Sequence, residues 1–456
     1  MAKHYHLIGI GGIGMSGIAR LLLHSGAIVS GSDLKEARTT QALKDSGAQV
    51  FIGHSAQNLK RTADCVIYSS AVTEDNPEIQ EAKRRGIPLF KRAQALAELM
   101  RDKTVITVTG SHGKTTTASL VSCLLLEAGL LPTVAIGGIL KNIDTNARLG
   151  NGKFFVAEAD ESDGSFLYYK PRYSIVTNVD REHLDYYKDF QKELDAFRHF
   201  IFRTEEGGCV FCCSDDANLK KMLSGYKNKY VLFGLDKNAD IYPQNLEFKG
   251  LSSSFDCFWR DKFIERFSLA LGGRHNISNA LSVIALGLEL GINLAQIKKA
   301  LAEYKGALRR LEVKFSGRGI LLVDDYAHHP TEIKATLLAA KNLKAKRIIA
   351  VFQPHRFSRT KLLLEEFSRS FDLADCLVLT DIYAASEPAL EGVNARCIYE
   401  RIKEYTPGKE VYFLPKEQLA GFLLEQARPG DLILTLGAGD IAKVSDALAE
   451  ALKKQD

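Results

Sequence analysis

Short apolar runs typical of β-strands alternate with helix-like stretches along most of this chain. Strands separated in this way predict parallel sheets, because a parallel connection needs a crossover that is usually a helix. The alternation falls into three series, which predicts an α/β fold with three domains at residues 1–102, 103–310 and 311–456. Residues 240–268 alternate charged and aromatic side chains, which predicts antiparallel hairpins within the second domain. The predicted strands are Tyr5–Ile10, Ala27–Ser30, Gln49–Ile52, Cys65–Tyr68, Ile87–Phe90, Thr104–Thr109, Phe154–Ala157, Ser174–Asn178, Cys209–Cys213, Tyr230–Gly234, Ile320–Asp324, Arg347–Phe352, Cys376–Thr380, Glu410–Phe413 and Asp431–Leu434.

The composition is typical of a folded, water-soluble protein. Hydrophobic residues make up 46% of the 456 residues, and the 60 basic residues barely exceed the 55 acidic ones, so we expect no nucleic-acid partner. No apolar stretch approaches the roughly 18 residues of a membrane span, and the first residues lack a signal-peptide pattern, so we expect a cytoplasmic protein without a membrane partner. The eight cysteines are scattered, and we expect reduced thiols without a metal or redox role, including at Cys209, Cys212 and Cys213.

A first glycine-rich loop, Gly9-Ile10-Gly11-Gly12-Ile13-Gly14, follows the first predicted strand and opens a helix. Backbone amides at such a helix start can approach a diphosphate, and Asp33 lies where a dinucleotide fold places its ribose-binding acid. The loop predicts a Rossmann-like domain that binds a diphosphate, which either NAD or a UDP-sugar carries. A tight turn that binds no ligand is the alternative.

A second glycine-rich loop, Thr109-Gly110-Ser111-His112-Gly113-Lys114-Thr115-Thr116-Thr117, follows a strand and opens a long apolar helix. Its amides can cradle phosphate oxygens, Lys114 can reach the terminal phosphates, and the hydroxyl of Thr115 can bind magnesium. Only two residues separate Gly110 from Gly113, which argues against an ordinary GTPase or motor ATPase. The loop predicts a P-loop ATPase-like central domain that binds ATP.

Acidic residues follow two predicted strands of the central domain, in the segments Glu158–Asp163 and Asn178–Asp185. A parallel sheet binds ligands at the carboxyl ends of its strands, so one or more of these acids should face Mg²⁺. His183 in the second segment suits a second metal ion, and Mn²⁺ is an alternative to Mg²⁺. A solvated acidic loop is the competing interpretation.

The third series, which we expect to form a Rossmann-like C-terminal domain, carries two polar clusters after strands, at Asp324–Pro330 and Gln353–Arg359. Arginine pairs with carboxylate or phosphoryl groups through its planar fork, so Arg356 and Arg359 are candidates for either contact.

Taken in this order, the motifs resemble the Mur ligase family, and the likeness covers nearly the whole chain. The segments that carry it are His6–Gly17, Gly110–Thr117, Glu158–Asp163, Gly273–Ala280, Asp324–Glu332 and Gln353–Thr360. Within the family, the motifs are most similar to the branch that joins L-alanine to UDP-N-acetylmuramate.

The resemblance implies a role for each candidate site residue. The UDP-sugar site would comprise Gly11, Gly12, Ile13, Gly14, Asp33, His54, Ser69 and Ser70. The ATP site would comprise Gly110, Ser111, His112, Gly113, Lys114, Thr115, Thr116, Asn276, Arg309 and Asp325, with Thr115, Glu158 and His183 on the metal. The amino acid would meet Tyr326, His328, His355, Arg356 and Arg359, and the catalytic groups would be Lys114, His183, His328, His355, Arg356 and Arg359.

The resemblance also implies the reaction, an ATP-dependent ligation through an acyl phosphate in peptidoglycan precursor synthesis, by a monomer or weak homodimer. Some family members carry a carbamylated lysine after the metal-binding histidine; Lys188 and Lys192 are the lysines available here, and we assign no carbamate. Three alternatives stay open at this point: a nicotinamide oxidoreductase, a non-catalytic nucleotide sensor, and a related ligase that recycles a whole peptide. The first leaves the second glycine loop unexplained.

Overall fold

The computed structural model describes residues 2–385 and 387–454, whose strands form three sheets. The chain divides into two compact units. The first comprises the chain up to Gln244 with Asp256–Phe267 and Ser278–Lys305, and the second comprises Asn245–Phe255, Ser268–Ile277 and the chain from Gly306 onward. No helix among the described residues has the length and apolarity needed to cross a membrane.

The first sheet has five parallel strands in the order β3-β2-β1-β4-β5. The strand order changes direction between β1 and β4, and open α/β sheets bind ligands beyond the carboxyl ends of the strands at such a point. The elements are β1 His4–Ile8, α1 Ile13–His24, β2 Ile28–Asp33, α2 Arg38–Asp45, β3 Gln49–Ile52, β4 Cys65–Tyr68, α3 Pro77–Arg85, β5 Leu89–Lys91 and α4 Arg92–Met100.

The second sheet has ten strands in the order β15-β14-β13-β12-β11-β10-β6-β9-β7-β8. The hairpin of β7 and β8 was missing from the predicted strands, because Gly137 and Gly138 interrupt its apolar pattern. The strands are β6 Thr104–Thr109, β7 Thr133–Leu140, β8 Thr145–Arg148, β9 Phe154–Glu158, β10 Tyr173–Val176, β11 Cys209–Cys213, β12 Lys229–Phe233, β13 Ile241–Lys249, β14 Ser252–Trp259 and β15 Lys262–Leu269. The helices are α5 Lys114–Glu127, α6 Leu184–Tyr187, α7 Phe190–Phe202, α8 Ala217–Met222, α9 Arg274–Glu289 and α10 Leu294–Ala302.

The third sheet has the order β16-β17-β21-β18-β19-β20, and only β16 pairs antiparallel with its neighbour. Helices cover both faces, so strand β18 is apolar from Ile348 to Phe352: Phe352 packs into one core and Val351 into the other. The elements are β16 Glu312–Gly317, β17 Ile320–Asp325, α11 Pro330–Lys341, β18 Arg347–Phe352, α12 Phe357–Leu362, α13 Leu364–Ser368, β19 Cys376–Leu379, α14 Arg396–Tyr405, β20 Glu410–Phe413, α15 Lys416–Gln426, β21 Asp431–Leu436 and α16 Ala442–Lys453.

Candidate active site

The second glycine loop joins β6 to α5, and two of its positions accept only glycine. Gly110 has a φ of +131°, and a Cβ atom there would lie 2.1 Å from Thr177 Oγ1. Gly113 has a φ of +83°, and its Cβ would lie 2.8 Å from Asn279 Oδ1. The neighbouring polar side chains therefore approach the loop so closely that no side chain fits, and its backbone is held in a narrow turn at the start of α5.

Lys114 is the first residue of α5 and folds back over the loop. Its Nζ donates hydrogen bonds to Gly110 O and to Glu161 Oε1, each at 2.6 Å. Burial alone lowers the pKa of this ammonium, but the carboxylates of Glu161, Asp160 and Glu158 outweigh burial and raise the pKa above its usual value. Lys114 therefore carries a positive charge at the mouth of the loop, as a residue that contacts terminal phosphates requires.

Thr115 and Glu158 contact one another beside the loop. The Thr115 hydroxyl donates to Glu158 Oε2 at 2.9 Å, and the backbone amide of Gly137 donates to the same oxygen at 2.8 Å. Burial raises the pKa of the Glu158 carboxyl and outweighs the opposing charge of Lys114. The hydroxyl and the carboxylate together offer the oxygen ligands that Mg²⁺ prefers.

His183 lies with a different pair of acids. One possible ligand atom from each of His183, Glu161 and Glu182 lies within 4.8 Å of the other two. The predicted set of Thr115, Glu158 and His183 thus divides into two neighbouring groups of ligands. Both acidic segments were predicted at the sheet edge, but Glu158 was the one carboxylate predicted as a metal ligand, since the spacing of a loop does not show which carboxylate points inward.

Further contacts tie the glycine loop to the segment that follows β10. The His112 amide donates to Asn178 Oδ1 at 2.9 Å, and the imidazole Nε2 of His112 lies 3.1 Å from Asp180 Oδ2. The Asp180 amide donates to the Ser111 hydroxyl at 2.8 Å. Thr116 is buried in the first turn of α5. Strands β6 and β10 are parallel neighbours, so their carboxyl ends bring these two loops together.

In the first sheet, Asp33 holds the first glycine loop. Its Oδ2 accepts a hydrogen bond from the Gly11 amide at 2.8 Å, so one of its two carboxylate oxygens already has a hydrogen-bond partner within the protein. His54, which sequence analysis placed near the nucleotide, contacts the Ser32 hydroxyl through Nδ1 at 2.9 Å and is half-buried at the same sheet edge. The fully buried Glu78 also contacts Ser32, since its carboxylate accepts a hydrogen bond from the Ser32 hydroxyl at 2.6 Å. Glu78 was not among the predicted site residues.

A cleft of about 250 Å³ lies in the first compact unit beside the first glycine loop. Gly12–Gly14 and Ser69–Ser70 line it, and so does Glu158, whose carboxylate contacts Thr115 of the second loop. Asn146 on β8 donates a hydrogen bond to Ile13 O at 2.5 Å, which fixes the first loop to the second sheet. A ligand that occupies this cleft would touch both the predicted UDP-sugar loop and Glu158, one of the predicted metal ligands.

In the second compact unit, aromatic rings and an arginine gather at the carboxyl ends of β17 and β18. The centroids of Tyr326 and His328 lie 5.3 Å apart, those of His328 and His355 5.6 Å, and those of His355 and Tyr383 5.7 Å. Arg359 Nη1 donates to His355 Nδ1 at 3.1 Å. Burial and the surrounding positive charges lower the pKa of His355 to about 2, so its ring is neutral. Tyr383 was not among the predicted site residues.

Two arginines of the same unit have partners inside the protein. Arg309 Nη2 donates to Gly437 O at 2.5 Å and Arg309 Nε to Asp324 Oδ2 at 3.0 Å, so this side chain binds the turn that follows β21. Arg356 Nη1 lies 3.9 Å from Glu387 Oε1. The predicted contact of Arg309 with ATP stays a prediction, and it would compete with these internal bonds.

Asp325 and Asn276, the other predicted ATP contacts of this unit, are also hydrogen-bonded. Asp325 accepts from the amides of Leu311 at 2.7 Å and Ala327 at 2.9 Å, and burial raises its pKa to about 6. Asn276 Nδ2 donates to Gly272 O at 2.8 Å. Both side chains are buried, and their present role within the unit is to hold backbone turns.

Comparisons with known proteins cover the chain almost from end to end. Residues 4–104 match the profile described as "Mur ligase family, catalytic domain", residues 108–287 match "Mur ligase middle domain", and residues 309–439 match "Mur ligase, glutamate ligase domain". The chain belongs to the Mur ligase family. The predicted family and the predicted α/β fold with three domains are confirmed.

Individual relatives of this Mur ligase are similar over their full length. A protein of Geotalea uraniireducens named "UDP-N-acetylmuramate--L-alanine ligase" is 45% identical over 448 residues, covering 98% of each chain. A protein of Syntrophotalea carbinolica with the same name is 47% identical over 452 residues, covering 99% of this chain and 98% of the relative. The crystal structure of UDP-N-acetylmuramate-alanine ligase MurC from Thermotoga maritima is 32% identical, with a TM-score of 0.87 and full coverage of both chains.

Proposed function

We propose that this Mur ligase joins L-alanine to the carboxylate of UDP-N-acetylmuramate and converts ATP to ADP and phosphate, as a step of peptidoglycan precursor synthesis in the cytoplasm. The observation that carries the proposal is the cleft lined both by Gly12–Gly14 of the first glycine loop and by Glu158, whose carboxylate contacts Thr115 of the second. The names of the full-length relatives support the choice of substrates.

The chemistry follows from the poor reactivity of a carboxylate. In the proposed reaction, a carboxylate oxygen of the sugar attacks the γ-phosphate of ATP, which releases ADP and leaves an acyl phosphate. The amine of L-alanine then attacks the acyl carbon, phosphate leaves with the C–O bonding electrons, and a base takes the proton from nitrogen. Phosphoryl transfer needs positioning and positive charge more than covalent help, and Lys114 supplies the charge from the second loop.

A divalent cation fits the residues beside this loop. Glu161 is fully buried, and among the described residues no hydrogen-bond partner is found for its Oε2, although Oε1 is bound to Lys114. Glu161 and His183 would hold a cation in one group of ligands, and Thr115 and Glu158 in the neighbouring group. Their oxygen ligands suit Mg²⁺, and the imidazole also suits Mn²⁺. When bound, the cation neutralises charge on the phosphates.

The amine of L-alanine needs a general base, and His328 and His355 of the predicted amino-acid site are the two candidates. Of these two histidines, His328 fits better. The neutral His355 already accepts a hydrogen bond from Arg359 on Nδ1, and its pKa of about 2 makes it a weak base near neutral pH. His328 donates through Nδ1 to Tyr326 O at 3.0 Å, which leaves its Nε2 lone pair for a proton from the amine. We propose that Arg356 and Arg359 bind the substrate carboxylate or the transferring phosphoryl group.

The test is phosphate release by the purified protein. We expect release from ATP only when UDP-N-acetylmuramate and L-alanine are both present, and equal turnover without the sugar nucleotide would contradict the proposal. Replacing L-alanine by a tripeptide tests the peptide-recycling alternative, which predicts faster turnover with the peptide. Saturable binding of NAD in place of UDP would instead favour an oxidoreductase.

A further inference from the structure

Arg92 lines the cleft beside the first glycine loop, although no sequence motif indicated it. It is the first residue of α4, directly after β5, and its side chain crosses to the start of α1. A Cβ atom on Gly14 would lie 3.1 Å from both Cδ and Nη1 of Arg92. The absence of a side chain at Gly14 therefore lets the guanidinium lie against the first glycine loop.

The guanidinium of Arg92 has unused capacity to donate hydrogen bonds. Its side chain is only 18% exposed, and its nearest acid is Asp160, whose Oδ2 lies 3.5 Å from Nη2. Within residues 2–385 and 387–454, no hydrogen bond from the guanidinium is found. Arginine carries five N–H donors, and the side chain of Arg92 lines the open cleft. An anion in the cleft would satisfy them.

The charges of the cleft and of a bound nucleotide sugar also favour a cation at the position of Arg92. Among the described residues that line it, Arg92 is the one cation, whereas Glu158 and Asp160 are acids. A nucleotide sugar would bring two further negative charges on its diphosphate into this space. The amides at the start of α1 supply only about half a positive charge, so a full cation beside them is needed to offset the repulsion.

We propose that Arg92 binds the diphosphate of the nucleotide sugar together with the backbone of Gly12–Gly14. The planar fork can engage two phosphate oxygens at once, and it keeps the sugar directed along the cleft toward Glu158. This inference rests on the proposed function, because it takes a UDP-sugar as the occupant of the cleft. It adds a substrate-binding residue that the glycine motif does not contain.

The experiment compares Arg92→Met and Arg92→Lys with Arg101→Met, a control directly after the same helix whose side chain is 68% exposed and paired with Glu98. Calorimetry measures the affinities for UDP, UDP-N-acetylmuramate and ATP. We expect Arg92→Met to weaken both UDP ligands by about tenfold to a hundredfold, and Arg92→Lys to weaken them less, because lysine keeps the charge and loses the fork. ATP affinity should be unchanged in all three variants, and Arg101→Met should match the wild type.

Kinetics provide a second readout, in which Arg92→Met should raise KM for UDP-N-acetylmuramate more than it lowers kcat. Unchanged UDP affinity in Arg92→Met would overturn the proposal, and so would a loss confined to UDP-N-acetylmuramate, which would place the guanidinium on the sugar carboxylate. Equal losses for ATP and UDP would mark a purely structural role and also overturn it. A wild-type protein that binds no UDP ligand would refute the proposed function itself, so the two failures are distinguishable.

Discussion

Replacing Lys114 by alanine should lower the stability of the first compact unit as well as remove activity. The ammonium of Lys114 and the carboxylate of Glu161 form an ion pair at 2.6 Å, with side chains that are 15% and 0% exposed. Removing one partner of a buried pair leaves the other charge without compensation, which typically costs about 3–5 kcal/mol. His183 lies 3.5 Å from the same Glu161 oxygen and can offset part of the loss, so we expect a value near about 3 kcal/mol.

The assay is calorimetric unfolding without ligands, on the wild type, Lys114→Ala, Glu161→Gln and the double variant. For a compact unit of roughly 300 residues, which unfolds with an entropy of about 2.1 cal/mol/K per residue, about 3 kcal/mol corresponds to a fall in Tm of about 5 °C. The double variant should recover at least half of this fall, because a neutral amide no longer needs the ammonium. Phosphate release should be lost in Lys114→Ala and in the double variant alike, since the recovery concerns stability and not phosphate binding.

Two results would refute this reasoning. If Lys114→Ala unfolds within about 1 °C of the wild type, the pair contributes little and Lys114 serves phosphate binding alone. If Glu161→Gln does not rescue the double variant, the lost stability comes from contacts other than the ion pair. A fall in UDP affinity of Lys114→Ala would show that the two glycine loops have been assigned to the wrong nucleotides.

Three further predictions concern the metal, the arginines and pH. Removing divalent cations with a chelator should abolish phosphate release, and added Mn²⁺ should restore it in part. The variant His183→Ala should need an Mg²⁺ concentration about tenfold higher for half-maximal activity. An unchanged Mg²⁺ dependence would exclude His183 as a ligand. Arg356→Lys and Arg359→Lys should each lower turnover by more than about tenfold, equivalent to about 1.4 kcal/mol, because lysine lacks the planar fork of arginine. The affinity for ATP, measured by calorimetry, should be unchanged. Wild-type kinetics in both variants would indicate that these arginines have a structural role. Burial raises the pKa of Asp325 to about 6, above its ordinary value of 3.8, so the folded state binds the proton more tightly than the unfolded state does. The stability of the wild type relative to Asp325→Asn should therefore be greatest below about pH 4, decline as pH rises to about 6, and stay level above that pH. Chemical unfolding of both proteins measures this difference, and a difference that stays constant across the pH range would contradict the shift.

Local patterns in the chain were enough to place most of the parallel strands and both glycine loops, although they missed the hairpin of β7 and β8. The apolar run Thr104–Thr109 followed by Gly110 and Gly113 predicts a strand, a tight turn and a helix start, because these depend on neighbouring residues alone. The acidic segments could be assigned to the sheet edge for the same reason, since a parallel strand ends where its loop begins. The choice of substrates needed more than these patterns and came from the resemblance to a family.

Which side chains meet was decided by tertiary structure. Glu158 and Glu161 are close in sequence, yet one contacts Thr115 and the other Lys114, because β9 lies next to β6 and the turn after it sends each carboxylate in a different direction. Arg92 had no signal at all in the sequence, since its place beside Gly14 follows from the order of strands in the first sheet and from the packing of that sheet's helices. Strand periodicity and turn residues are short-range properties that a sequence displays directly. The partner of a charged side chain depends instead on segments tens of residues away, which only folding brings into contact.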